Sequence, residues 1–157
     1  MGSDKIHHHH HHMKVKDVCK LISLKPTVVE EDTPIEEIVD RILEDPVTRT
    51  VYVARDNKLV GMIPVMHLLK VSGFHFFGFI PKEELIRSSM KRLIAKNASE
   101  IMLDPVYVHM DTPLEEALKL MIDNNIQEMP VVDEKGEIVG DLNSLEILLA
   151  LWKGREK

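Results

Sequence analysis

Apolar residues recur with helical spacing twice along this chain. The first run is Ile35, Ile38, Val39, Ile42 and Leu43; the second is Leu114, Ala117, Leu118, Met121 and Ile122. Each stripe predicts a helix that buries one face and leaves its charged residues in water. Thr33-Pro34 precedes the first run and Thr112-Pro113 the second, with Glu36 and Glu115 three residues after each threonine. That pattern predicts threonine as N-cap, proline at the first helical position and glutamate closing a capping box. A β-branched stretch follows, Thr50 to Val53, matched by Pro130 to Val132. Polar turns come next, Arg55-Asp56-Asn57-Lys58 and Asp133-Glu134-Lys135-Gly136, and then strands over 59–63 and 138–142. Final helices are expected over 65–71 and 144–152. Each copy therefore reads as short strand, helix, strand, strand, helix.

The two copies share a register. Asp32-Thr33-Pro34-Ile35-Glu36-Glu37 recurs as Asp111-Thr112-Pro113-Leu114-Glu115-Glu116, an offset of 79. The same offset takes Val60-Gly61 to Val139-Gly140, Val53 to Val132 and Pro26 to Pro105, with no gap needed from Pro26 to Val71. Upstream it pairs Val15, Cys19 and Ile22 with Ile94, Ala98 and Ile101. One such unit is too small to bury its helices, whereas two packed about a pseudo-twofold axis are not. The expected class is α+β: two βαββα repeats, strands inside and helices outside. The expected divisions are a tag over 1–12, repeat 1 over 13–72, an aromatic connection and helix over 73–93, and repeat 2 over 94–157.

Composition narrows the function. The six-histidine run before Met13 is an expression tag and carries no fold information. A net charge of −6 excludes the basic footprint of a nucleic-acid binder. No apolar run has the roughly 18 residues of a membrane span. One cysteine, Cys19, cannot form an internal disulfide and fits a reducing cytoplasm. Its place on an apolar face with Val15, Val18 and Ile22 reads as a buried, inert thiol. Charged residues make up 29% of the chain and Gln127 is its one glutamine, which leans toward a thermophilic source. Phosphate loops, nucleophile elbows, paired cysteines and zinc-protease motifs are all missing, so no catalytic residue and no metal ligand set is assigned.

The segment Ala98-Ser99-Glu100-Ile101-Met102, the repeated Asp-Thr-Pro-x-Glu-Glu, Met129-Pro130-Val131-Val132-Asp133 and the Val-Gly of each second strand resemble the CBS (cystathionine-beta-synthase-type) domain family. The resemblance covers nearly all of 15–152 and is closer in the second repeat; in the first, Val51 stands at the proline position. It implies a Bateman module: a regulatory, non-catalytic pair of repeats that holds an adenosine-containing ligand (AMP, ADP, ATP, NAD or S-adenosylmethionine) and needs no cofactor. A homodimer and an unidentified regulated protein are the implied partners. A structural or oligomerising module with degenerate pockets is the alternative.

Family members place a hydroxyl and an aspartate three residues apart after the strand glycine, to hold a ribose diol. In the second repeat Asn143 and Glu146 take those places, and in the first Pro64 and His67 do. The resemblance thus points to Asn143 and Glu146, with Thr27 and Val28 near the base and Met129, Pro130 and Leu142 as further lining positions. Glu146 also fits a solvated acid favoured by the helix dipole. The position two before the proline, basic in many relatives, holds Arg49 in one repeat and Glu128 in the other; Arg49 serves either a ligand phosphate or the surface. All four phenylalanines lie in Phe74-His75-Phe76-Phe77-Gly78-Phe79. They either complete a core or form an exposed patch for self-association.

Overall fold

A computed structural model describes residues 12–22, 25–82 and 91–153. The chain forms two compact units: Thr27–Pro105, and Met1–Pro26 together with Val106–Lys157. These bodies cut across the repeats. Expected repeat 1 starts at 13, yet residues up to Pro26 belong with the second repeat's strands and helices, and 94–105 belong with the first's.

The Thr27–Pro105 unit is built on strands β1 (Thr27–Glu30), β2 (Thr50–Arg55) and β3 (Lys58–Pro64), in the order β1-β2-β3. β1 runs parallel to β2, and β2 is antiparallel to β3. Helix α1 (Ile35–Glu44) and helix α2 (Val65–Phe77) cover the sheet, with the one-turn α3 (Ala98–Ile101) behind β3. Alternation along β2 sends Val51 and Val53 into a core with Val29, Ile38, Ile63, Leu68, Val71, Ala98 and Ile101. The opposite face, with Tyr52 and Met62, is buried too, which is why β2 reads as a continuous apolar run. Asp56 and Asn57 both take positive φ (51° and 67°) to turn the hairpin.

The other unit has β4 (Glu128–Val132) antiparallel to β5 (Ile138–Asn143), with helix α4 (Leu114–Asn124) before them and α5 (Ser144–Trp152) after. Where the first unit has β1, here a single parallel bridge joins Val108 to Val131. A 3-10 turn at Val15–Asp17 carries Val15, Val18 and Cys19 into a core with Leu114, Ala117, Met121, Met129, Val131, Leu142, Ile147 and Ala150.

Three expectations are corrected. First, Thr33 and Thr112 are not the N-caps. Pro34 and Pro113 hold that position in extended conformation, without a side-chain cap. The threonine hydroxyls turn backward, accepting the N–H of Glu30 at 3.2 Å and of His109 at 2.9 Å. The first helical amides find main-chain acceptors instead: Ile35 N–H donates to the Lys96 carbonyl at 3.0 Å and Leu114 N–H to that of Met13 at 2.9 Å.

Second, the offset is not constant. Val15 N–H donates to the Thr112 carbonyl and Ala98 N–H to that of Thr33, both at 2.9 Å, so residues 15 and 98 are equivalent and the lead-in offset is 83. Likewise Val65 N–H meets the Arg49 carbonyl at 3.1 Å and Ser144 N–H that of Gln127 at 2.8 Å, so the offset there is 78. Pairing of Tyr52 with Met62 and of Pro130 with Asp141 gives the same shift. Pro130 therefore corresponds to Tyr52, not Val51, and Arg49 to Gln127, not Glu128.

Third, α2 does not stop at Val71. It runs on to Phe77 and ends at Gly78, whose φ of 69° is the left-handed geometry that a helix end commonly assigns to glycine. Three of the four phenylalanines are not core: Phe76, Phe77 and Phe79 are 72%, 87% and 60% exposed, while Phe74 is half-buried. The helix expected to close the 73–93 connection falls mostly on residues 83–90, outside the described residues.

Candidate functional site

Of the eight residues picked from sequence, three lie in the first unit. Thr27 opens β1 opposite Val51; it is buried, and its hydroxyl lies 3.0 Å from that of Thr48. Val28 is half-buried opposite Tyr52. Arg49 is exposed just before β2, its Nη1 donating to the carbonyls of Pro46 at 3.0 Å and Thr48 at 3.3 Å.

The other five lie in the second unit. Met129 and Leu142, expected to line a ligand, are opposite partners on the core face and fully buried among its apolar residues. Strand alternation turns both side chains toward that core. The same alternation puts Glu128 and Pro130 on the other face of β4, opposite Asn143 and Asp141 of β5, and all four are buried.

Asn143 and Glu146 form a reciprocal capping box at the start of α5. Asn143 Oδ1 accepts the Glu146 N–H at 3.0 Å, and Glu146 Oε1 accepts the Asn143 N–H at 3.1 Å. Glu146 Oε2 accepts the N–H of Ile22, also at 3.1 Å. A solvated first-turn acid is therefore excluded, since Glu146 is 1% exposed. Burial pushes its carboxyl above the ordinary range, against the backbone N–H groups of Ile22, Asn143 and Leu21, and the charge of Glu128 pushes the same way. The Glu146 N–H needs an acceptor on Asn143 Oδ1, so the amide cannot be reversed. Asn143 Nδ2 is then left buried with no hydrogen-bond partner among the described residues. The first repeat has nothing comparable: Pro64 precedes α2 without a side-chain cap, and His67 is half-buried in its first turn.

Sequence reasoning missed the tie to Ile22, because a main-chain donor leaves no residue signature. It also missed Met110, whose sulfur lies 3.7 Å from Cys19 Sγ. The thiol is buried as expected, and burial first, then the Glu146 charge, raises its pKa. Among the described residues no three His, Cys, Asp or Glu side chains could hold a metal ion. No helix of the described residues is long and apolar enough to cross a membrane.

Two α/β units, each combining a strand hairpin, flanking helices and a lead-in segment, define a tandem-repeat module. The family model described as "CBS domain" matches residues 15–73 and again 98–153. The chain belongs to the CBS domain family. It is 95% identical to a CBS domain-containing protein (TM0935) of Thermotoga maritima, whose crystal structure superposes with a TM-score of 0.83 over 94% of this chain and 99% of that one. CBSX2 in complex with AMP superposes at a TM-score of 0.68, with 22% identity over 90% of this chain and 98% of that one. The CBS domain pair of protein MJ0100, in complex with 5′-methylthioadenosine and S-adenosyl-L-methionine, superposes at 0.64, with 22% identity over 92% and 98%. An uncharacterised protein (MJ1426) of Methanocaldococcus jannaschii is 25% identical over 94% of this chain and 96% of its own.

Proposed function

We propose that this chain is a non-catalytic, cytoplasmic sensor whose second repeat takes an adenosine-containing ligand. The observation that carries the reading is the start of α5: a carboxylate, Glu146, beside a buried amide donor, Asn143 Nδ2, that has no partner among the described residues. A ribose hydroxyl can accept from that amide and donate to that carboxylate. The adenosyl ligands of the CBSX2 and MJ0100 complexes support the choice of ligand class. The second repeat is preferred because Pro64 and His67 offer the first repeat no such pair. A thermal-shift panel of AMP, ADP, ATP, NAD and S-adenosylmethionine tests this. A ligand at a hundredfold excess over its Kd adds about 2.7 kcal/mol of stability; no shift for any member overturns the reading.

A structural role through self-association is the second reading, and repeated exposure favours it. Leu43 and Ile122, Met66 and Leu145, and Leu69 and Leu148 hold equivalent places in the two repeats, and all six are exposed. Apolar helix faces repeated in this way, together with the Phe76–Phe79 ridge, suit a homodimer. Light scattering that shows a monomer at high micromolar concentration overturns it.

A further inference from the structure

We propose that Glu146 is a latch: it holds the main chain after Cys19 against the start of α5 until a hydroxyl-bearing ligand takes its carboxylate. The proposal rests on the sensor reading and adds what binding does to the protein.

Residues 13–17 are stitched to 110–114 by main-chain bonds that do not involve Glu146: Val15 N–H to the Thr112 carbonyl, Lys16 N–H to that of Met110 and Leu114 N–H to that of Met13, each at 2.9 Å. The stretch beyond Cys19 is tied differently, through the Ile22 N–H on Glu146 Oε2. Both carboxylate oxygens are thus occupied by backbone donors, and at 1% exposure no space is left for an incoming hydroxyl. Either residues 21–22 or the first turn of α5 must move before a ligand reaches Glu146. The first turn is fixed by the reciprocal Asn143 bonds and by Ile147 in the core. The N-terminal tie is made by main-chain N–H groups alone, from half-buried Ile22 and from Leu21, which is 43% exposed. The weaker side is the N-terminal one. The buried Asn143 Nδ2 supplies the incentive, since a ligand hydroxyl at this place satisfies a donor that has no partner among the described residues. Ligand occupancy is thereby converted into release of residues 20–22, a movement that a regulated partner can read.

Amide hydrogen exchange by NMR tests this, with the Val15 amide as internal standard for an intact fold. In the free protein, Glu146→Gln leaves one acceptor oxygen for two amides, so Ile22 or Asn143 exchanges at least tenfold faster; in Glu146→Ala both do. Val15 keeps its wild-type rate in both variants. Saturating AMP or S-adenosylmethionine accelerates Ile22 exchange in the wild type while Val15 is unchanged. Unaltered Ile22 and Asn143 rates in Glu146→Gln overturn the latch. Binding that leaves Ile22 as protected as before overturns it while sparing the sensor reading. No binding of either probe overturns the sensor reading and the release step with it.

Discussion

Gly61 and Gly140 are equivalent by the 79-residue offset that holds in β3 and β5, yet they should respond oppositely to one added methyl group. Neither has positive φ, so alanine strains neither backbone and only the surroundings decide. At Gly61 a Cβ would collide with Met102 Sδ and lie 2.8 Å from Cγ and 2.9 Å from Cβ of the same residue. The flexible end of Met102 can swing away, but its Cβ moves only with the main chain. That main chain is fixed by the reciprocal bonds of Met62 and Leu103, at 3.0 and 2.9 Å. Overpacking of this kind costs about 1–3 kcal/mol. At roughly 2–4 °C per kcal/mol for a chain of this size, Gly61→Ala lowers Tm by about 2–12 °C. At Gly140 the nearest atoms, Met110 Cε and Val131 Cβ, are 3.6 Å away, an ordinary contact. There alanine removes the entropic cost of a strand glycine and adds about 0.5–1 kcal/mol of stability. Calorimetry on both variants checks the contrast, and Gly61→Ala combined with Met102→Ala should recover part of the loss relative to Met102→Ala alone. Equal shifts for the two glycines, or a larger loss at Gly140, would refute the reasoning.

Three further outcomes are expected. Glu146 has a raised pKa, so its stabilising contribution is fully present below the ordinary value of 4.5 and is lost as pH rises through the raised one; the stability difference between wild type and Glu146→Gln should fall from pH 4 to pH 8, and a rise in urea titrations would contradict it. Cys19 is buried with its pKa raised, so iodoacetamide at neutral pH should label it only at the rate of opening or unfolding, and immediate full labelling of the native protein would show the thiol to be accessible. Phe77 is 87% exposed, so Phe77→Asp should change stability by no more than about 0.5 kcal/mol while weakening any self-association; a large loss of stability would mean that the ring packs in a core after all.

Much of this fold is legible in the sequence because both copies obey local rules. Helical spacing located α1 and α4, and turn residues located both hairpins. The single 79-residue offset, by contrast, concealed two changes that cancel. Asp45-Pro46 ends α1 at Glu44, since the residue before a proline avoids the helical region, and five residues lead on to β2. α4 runs one residue longer, stops at left-handed Asn125 and reaches β4 in three. The first repeat is therefore one residue longer before the strand, and the second regains that residue in its hairpin, where Glu134, Lys135 and Gly136 replace Asp56 and Asn57. A gapless alignment crosses both changes unnoticed and, between them, mispairs β2 and the Arg49 that precedes it with β4 and Glu128.

The exchange of lead-ins was illegible for a different reason. A helix that starts just after a proline has no side-chain cap of its own, so its first amide must find an acceptor elsewhere. In each unit that acceptor is a main-chain carbonyl, Lys96 for α1 and Met13 for α4, from a segment distant in sequence. Carbonyls are common to every residue, and the apolar anchors beside them, Val15 and Val18 in one lead-in and Ala98 and Ile101 in the other, fit either core by pattern alone. Only packing distinguishes the two assignments, and it decides more than the fold. Because the N-terminal lead-in lies in the α5 unit, Ile22 is within reach of Glu146, and the acid singled out for a ribose becomes a group whose oxygens the protein itself already holds. The spacing of Asn143 and Glu146 was readable from sequence; that a ligand must compete for the carboxylate was not.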